Sequence, residues 1–162
     1  MPKPLNDYDP FKYCDAGLVD GHNSYCPEFD IMEANKFSFR SSAHRCSRPG
    51  SDGVFYNCDR NGFCEVDVLQ NSVLHDFGPD PFYTIDTSKE FNVKTEFHVL
   101  NDRFAGYTTT LSQGSRKVVL NEEKCADNKT PGKEDYYLDM QSAMQEVVIA
   151  ISSWGSYSVN WL

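Results

Sequence analysis

From residue 91 to 99 the chain alternates without a break: Phe91, Val93, Thr95, Phe97 and Val99 are separated by Asn92, Lys94, Glu96 and His98. A period of two sends each set to its own face of a β-strand, so the run predicts a strand buried on one side. Residues 107–111 and 117–120 are two further β-prone runs around Gln113-Gly114-Ser115, most simply a hairpin. Met140, Ala143, Met144 and Val147 fall at helical spacing and predict one short helix. The uninterrupted apolar run Val147-Val148-Ile149-Ala150-Ile151 predicts a central strand covered on both faces. From residue 34 to 67 the composition shifts to Ser, Arg, Gly, Asn and Asp punctuated by cysteines, which reads as loops. Internal repeats and low-complexity segments are absent from the sequence. The whole is all-β and antiparallel, so a two-sheet sandwich of the jelly-roll type is expected.

One stretch departs from simple patterning. In Cys26-Pro27-Glu28-Phe29-Asp30-Ile31-Met32-Glu33-Ala34-Asn35, three carboxylates stand at i, i+2 and i+5 among apolar neighbours. On a strand, Glu28 and Asp30 share a face, and Phe29 and Ile31 take the other, where a core would bury them. Glu33 has the wrong parity unless one extra residue, a β-bulge near Met32, returns it to the acidic face. Glu28 and Glu33 are then four ladder steps apart, roughly 13 Å between Cα atoms. Two long side chains leaning together over a concave face close most of that gap. Like charges this close raise at least one pKa, and a carboxylate beside a protonated carboxyl is what retaining glycoside hydrolysis uses. The same spacing also suits an acidic solvent face or a calcium-binding cluster.

Composition narrows the choice. At 162 residues one domain is expected, long enough to bury roughly 70% of its unfolded surface. A net charge of −9 argues against nucleic acid and against anionic membranes or glycans as partners, and leaves neutral polysaccharide open. An aromatic content of 14% suits both a β core and sugar stacking. Six cysteines, an even count, point to disulfides and an oxidising, extracellular compartment, with 15 connectivities open. A zinc site built from Cys46, Cys58, Cys64 and His44 is the competing use, weakened by the lack of any Cys-x-x-Cys pair. Asn128-Lys129-Thr130 is an N-glycosylation sequon, followed by Pro131. Residues 1–9 are polar and proline-containing, without the apolar core of a signal peptide, so a mature secreted fragment is expected. No run approaches the length of a membrane span.

The motif Glu28-x-Asp30-x-x-Glu33-Ala34-Asn35 after a cysteine, with Ala43-His44-Arg45-Cys46 downstream, resembles the catalytic strand of glycoside hydrolase family 7. These are the cellobiohydrolases and endo-glucanases that cut β-1,4-glucan with retention. The resemblance continues through Phe77-Gly78-Pro79, Tyr83-Thr84-Ile85-Asp86-Thr87, residues 91–97 and residues 153–162, from about Tyr13 onward. It implies a concanavalin-like jelly roll over residues 13–162 after an N-terminal extension of residues 1–12. It implies Glu28 as nucleophile, Asp30 as its orienting partner and Glu33 as acid/base. Asp15 and His44 would contact substrate, and Trp154 and Trp161 would stack on glucose rings. Disulfides Cys14–Cys26, Cys46–Cys58 and Cys64–Cys125 are implied as well, and neither a cofactor nor a metal is called for.

Two departures stand out: Met32 occupies a position where the family usually has Trp, and Gly17 replaces a glutamine. The chain corresponds only to the middle of the family's domain, so an incomplete sandwich is expected. Open sheet edges would then invite self-association or a companion chain. Three functions follow: a β-1,4-glucan hydrolase acting on polysaccharide or oligosaccharide, a β-1,3- or mixed-linkage glucanase, and a non-catalytic glycan-binding or structural protein.

Overall fold

The 91–99 alternation folds as the outer strand of a three-stranded antiparallel sheet. The structure is a computed structural model, and it describes residues 13–18, 24–71, 75–122, 125, 136–141, 143–145 and 147–153. In chain order its elements are β1 (Glu28–Ala34), β2 (Phe39–His44), β3 (Cys64–Asp67), α1 (Val68–Asn71), β4 (Phe77–Gly78), β5 (Ile85–Asp86), β6 (Asn92–Leu100), β7 (Arg103–Gln113), β8 (Arg116–Asn121) and α2 (Tyr136–Gln141). A 3-10 turn, Ala143–Gln145, follows α2. Strands β1-β2-β3 form one antiparallel sheet and β6-β7-β8 another, in those orders, while β4 and β5 make a two-residue parallel pair.

Each hairpin of the second sheet has its own turn chemistry. Asn101 and Asp102, between β6 and β7, both take positive φ, 52° and 58°. That is the two-residue turn whose twist matches the flanking strands, and Asn and Asp tolerate it well. Between β7 and β8 the turn is Gly114-Ser115, as the sequence predicts. Burial follows the alternation as far as Thr95 and then lapses: Phe97 is half-exposed, and Val99 and Leu100 are exposed. An irregularity between His98 and Val99 shifts the pairing there, near the end of this edge strand.

The two sheets meet at Tyr107, which is fully buried on central strand β7. Its hydroxyl lies 2.8 Å from the Ser41 carbonyl and 3.0 Å from the Cys64 carbonyl, tying β7 to β2 and β3. Phe29 from β1 packs edge-on against Tyr107 and Phe97, with ring centroids 4.8 and 4.9 Å away. Such aromatic pairs add about 0.5–1.5 kcal/mol beyond the apolar area they bury. Phe39, Val66, Leu111, Leu120, Ile85, Tyr136 and Met140 complete the core between and beside the sheets.

Three expectations are corrected. Residues 34–67 are not loops throughout, because 39–44 form β2, the central strand of its sheet, and 64–67 form β3. Ser41, Ser42 and Ala43 in β2 are wholly buried, and small polar residues at a close strand contact leave no apolar alternation to read. Ser41 is satisfied there by donating its hydroxyl to the Asp30 carbonyl at 2.9 Å. Ile31 does not share Phe29's burial and is half-exposed, since β1 is an edge strand and the aromatic core reaches only its first turn of pleat. Finally, the apolar run at 147–151 is not a central strand. It pairs with no strand among the described residues, and Ile149 and Ile151 are 82% and 95% exposed. An apolar run becomes a strand only where a ladder partner exists.

Candidate active site

The acidic stretch forms edge strand β1, whose register with β2 fixes the site. Glu28 stands opposite His44, Asp30 opposite Ser42 and Glu33 opposite Arg40. The three residue steps of β1 from Asp30 to Glu33 span only two of β2, from Ser42 to Arg40, with the pairing shifted between them. That is the extra residue the acidic spacing requires, and it restores Glu33 to the face of Glu28 and Asp30. Ile31 and Met32, the residues inside the bulge, are exposed.

His44 lies beneath this row, 8% exposed. Its Nε2 is 2.9 Å from the Asp30 carboxylate and 3.1 Å from the Ser42 hydroxyl. Its Nδ1 is 2.9 Å from the Asp59 carbonyl. A carbonyl only accepts, so Nδ1 carries a proton, and the carboxylate at Nε2 favours a second. Glu28 Oε2 accepts the backbone N–H of Ala16 at 3.1 Å. That donor comes from the segment tethered by the Cys14–Cys26 disulfide immediately before β1.

The electrostatics follow from burial and proximity. Burial, then the charge of Asp30 and a hydrogen bond with it, pushes Glu28 up to about 7, against the opposing pull of Ala16 N–H and His44. Burial and Asp30 also raise Glu33 to about 7, opposed by Arg40, His44 and the Ser42 hydroxyl. For His44 burial alone acts downward, but the hydrogen bond and charge of Asp30, the Asp59 carbonyl and Glu28 carry it to about 9. Tyr13, held up to about 12 by burial and by Glu28, Asp15 and Asp30, lies against the same cluster. Its place there was not legible from pattern, because it comes from a segment without periodicity.

All three main shifts have one sign. Glu28 and Glu33 hold protons more tightly folded than at their ordinary value of 4.5, so their contribution is complete below that pH and is lost as pH rises through about 7. The contribution of His44 is complete below its ordinary 6.5 and is lost as pH rises through about 9. The folded state therefore binds more protons than the unfolded chain across this window, and stability falls as pH rises. Calorimetry should show Tm decreasing steadily from pH 5 to pH 9. A Tm that rises over that interval contradicts the arrangement.

The other expected residues are distributed as follows. Asp15 is 2% exposed, and its Oδ1 accepts the Gly17 N–H at 2.8 Å. Trp154, Trp161 and Asn128 lie outside the described residues, as does the extension 1–12. The cysteines pair as Cys14–Cys26, Cys46–Cys58 and Cys64–Cys125, which leaves no thiolate for the zinc reading. Cys64, Glu122 and Cys125 converge closely, but both sulfurs are already in the disulfide. A cleft of about 660 Å³ lined by Phe37, His75, Pro79, Asp80, Phe82 and Tyr83 starts four residues past Glu33. Among the described residues, no helix is long and apolar enough to cross a membrane.

Comparison with solved structures places this arrangement in a known fold. The chain matches the native Humicola insolens endocellulase with a TM-score of 0.63 and 22% identity, covering 82% of this chain and 42% of that one. An endoglucanase I complexed with cellobiose matches with a TM-score of 0.61 at 23% identity, again covering 82% and 42%. A family 7 cellobiohydrolase from Daphnia pulex gives 0.57 at 19% identity, covering 75% of this chain and 35% of that one. At such identities the likeness is one of fold, an incomplete β-jelly-roll sandwich, and this chain spans about 42% of the length of the endocellulases it matches. The family model for glycosyl hydrolase family 7 matches residues 12–146, most of the sequence, and the chain belongs to that family.

Proposed function

We propose that the chain carries the machinery for retaining hydrolysis of β-1,4-glucosidic bonds in cellulose or a related β-glucan. The observation that carries this reading is the bulge in β1, which puts Glu28, Asp30 and Glu33 on one face. Glu33 gives its proton to the glycosidic oxygen as the bond from the anomeric carbon breaks. Glu28 attacks that carbon with its carboxylate and forms a covalent glycosyl ester. Glu33, now ionised, takes a proton from water, and the resulting hydroxide displaces Glu28 with a second inversion. The division of labour needs Glu28 ionised while Glu33 holds its proton. The Ala16 N–H favours the charged form of Glu28, while Arg40, His44 and the Ser42 hydroxyl favour that of Glu33. Both are held up alike, and this reading gives the charge to Glu28 as the nucleophile. Asp30, bridged to His44, holds its carboxylate between the two and raises both.

His44 is read as the group that compensates Asp30 and stands near the cleaved bond. Asp15, buried and turned onto its own backbone, is read as shaping the loop that delivers Ala16 N–H to Glu28. The 13–162 span is taken as a single, partial hydrolase domain, secreted in keeping with its disulfides. A non-catalytic, glycan-binding reading draws on one observation: the chain spans 42% of the length of the endocellulases. Proton NMR of cello-oligosaccharide cleavage separates these readings. The expected first product is the β-anomer. The α-anomer overturns retention and with it the covalent role of Glu28. A folded protein that binds glucan without turnover overturns the hydrolase reading, and faster cleavage of laminarin overturns the linkage.

A further inference from the structure

The segment after Cys58 does more than close a disulfide loop. Asp59 accepts His44 Nδ1–H at its carbonyl, and its carboxylate is spent on organising its own loop. Oδ1 accepts Asn61 N–H at 3.2 Å and Oδ2 accepts Phe63 N–H at 2.7 Å. Oδ2 also lies 2.6 Å from the hydroxyl of Tyr136, which comes from α2, 77 residues on. The same hydroxyl is 2.6 Å from the Ala43 carbonyl, so one phenol bridges β2 and the loop beside His44. The Arg45 guanidinium lies 5.0 Å over the Tyr136 ring and pairs with Asp139 of α2 at 3.3 Å.

Gly62 completes the enclosure. It has φ of +66°, and a Cβ built on it would fall 2.7 Å from His44 Cε1, 2.8 Å from Nε2 and 2.9 Å from Ser42 Cβ. No heavier residue fits there without displacing the imidazole or the loop. The backbone of Gly62 therefore acts as a wall against the ring while Asp59 holds its far nitrogen.

We propose that loop 59–63 is a clamp that positions His44, with Gly62 as its wall and Tyr136 as the latch holding it from α2. The proposal rests on the hydrolase reading for its consequence, since it makes Tyr136 and Gly62 positioning residues for the Asp30–His44 pair. The clamp itself stands on geometry alone. Charged groups facing the ring are Asp30, Glu28 and Glu33 from β1, and Asp59 presents its carbonyl from the loop. Loosening the loop weakens the hydrogen bond from Nδ1–H to the Asp59 carbonyl, one of the contacts that favour the doubly protonated ring, and so lowers the ring's affinity for the second proton.

The test is NMR titration of the His44 ring in the full chain, with its signal assigned by loss in His44→Asn. Tyr136→Phe keeps the ring and its packing but removes the latch. Gly62→Ala pushes on the wall. Both variants are expected to lower the His44 midpoint by about one pH unit and to broaden or lose the Nδ1–H resonance. The midpoint and the Nδ1–H signal are readouts that a merely structural role for Tyr136 would leave unchanged. A folded Tyr136→Phe protein whose His44 midpoint and Nδ1–H signal match the unaltered protein overturns the proposal, whether or not Gly62→Ala folds. Because the titration needs no substrate, a chain without turnover overturns the hydrolase reading and leaves the clamp to be judged on its own signal.

Discussion

Glu28→Gln should reduce turnover on a soluble β-glucan by on the order of 10⁴-fold or more, the scale seen when a covalent nucleophile is removed. The substitution preserves shape, and its amide oxygen still accepts the Ala16 N–H that now reaches Oε2. What it removes is the negative charge that attacks the anomeric carbon. Folding should survive, because burial already disfavours that charge and holds the carboxyl up to about 7. Above pH 7 the variant is expected to melt no lower than the unaltered protein, since a neutral amide replaces a half-buried carboxylate. Glu96→Gln is the control: Glu96 lies on exposed β6, paired with Lys94 across 2.8 Å, far from any role in bond cleavage. Initial rates and melting curves for both variants check the expectation. Residual activity within about tenfold of the starting protein after Glu28→Gln would remove Glu28 from the mechanism.

The second large effect is on stability. Replacing Cys64 and Cys125 together by Ala is expected to cost about 4 kcal/mol, because that bridge closes a span of 61 residues in the unfolded chain. Replacing Cys46 and Cys58 opens a span of only 12, with an expected cost of about 3 kcal/mol. Against the net stability of an ordinary domain, about 5–15 kcal/mol, either loss is serious. The longer bridge also has the wider structural reach. Cys64 sits in β3 opposite Ala43 of β2, and Cys125 follows Glu122, whose carboxylate accepts the Cys125 N–H at 2.9 Å and the Tyr137 hydroxyl. Loss of the bridge therefore loosens the attachment of β3 and α2 together. Guanidinium unfolding of the two double variants should rank them in this order, and the reverse order would refute the chain-entropy account.

Local information sufficed for the acidic face. Parity along a strand requires that Glu28 and Asp30 point together and that Glu33 join them only through an added residue, and the pairing with β2 contains that residue. The hairpin at Gly114 was legible for a similar reason, since a turn and its flanking runs are neighbours in the chain. His44 was legible only through its motif. Nothing local distinguishes it from a core histidine, and the partners that define it, Asp30, Asp59 and Gly62, are brought in by three separate segments.

Strand β2 shows the opposite case. Ser41, Ser42 and Ala43 carry no apolar pattern, yet they are wholly buried where β1, β3 and Tyr107 converge. The run 147–151 errs the other way: its five apolar residues read as a buried strand, and the described fold offers them no ladder partner. Tyr136 gives no signal at all, because its role depends on contacts 77 and 93 residues distant in sequence.

By itself the order of residues determined which side chains share a face, where the ribbon must bulge and which turns reverse it, since all of these depend on steric rules acting over a few bonds. Only the tertiary structure decided which strands become central, which apolar runs stay uncovered, and which distant backbone atoms hold Glu28 and His44. Burial and hydrogen-bond satisfaction belong to pairs of segments, and no single segment carries its partner.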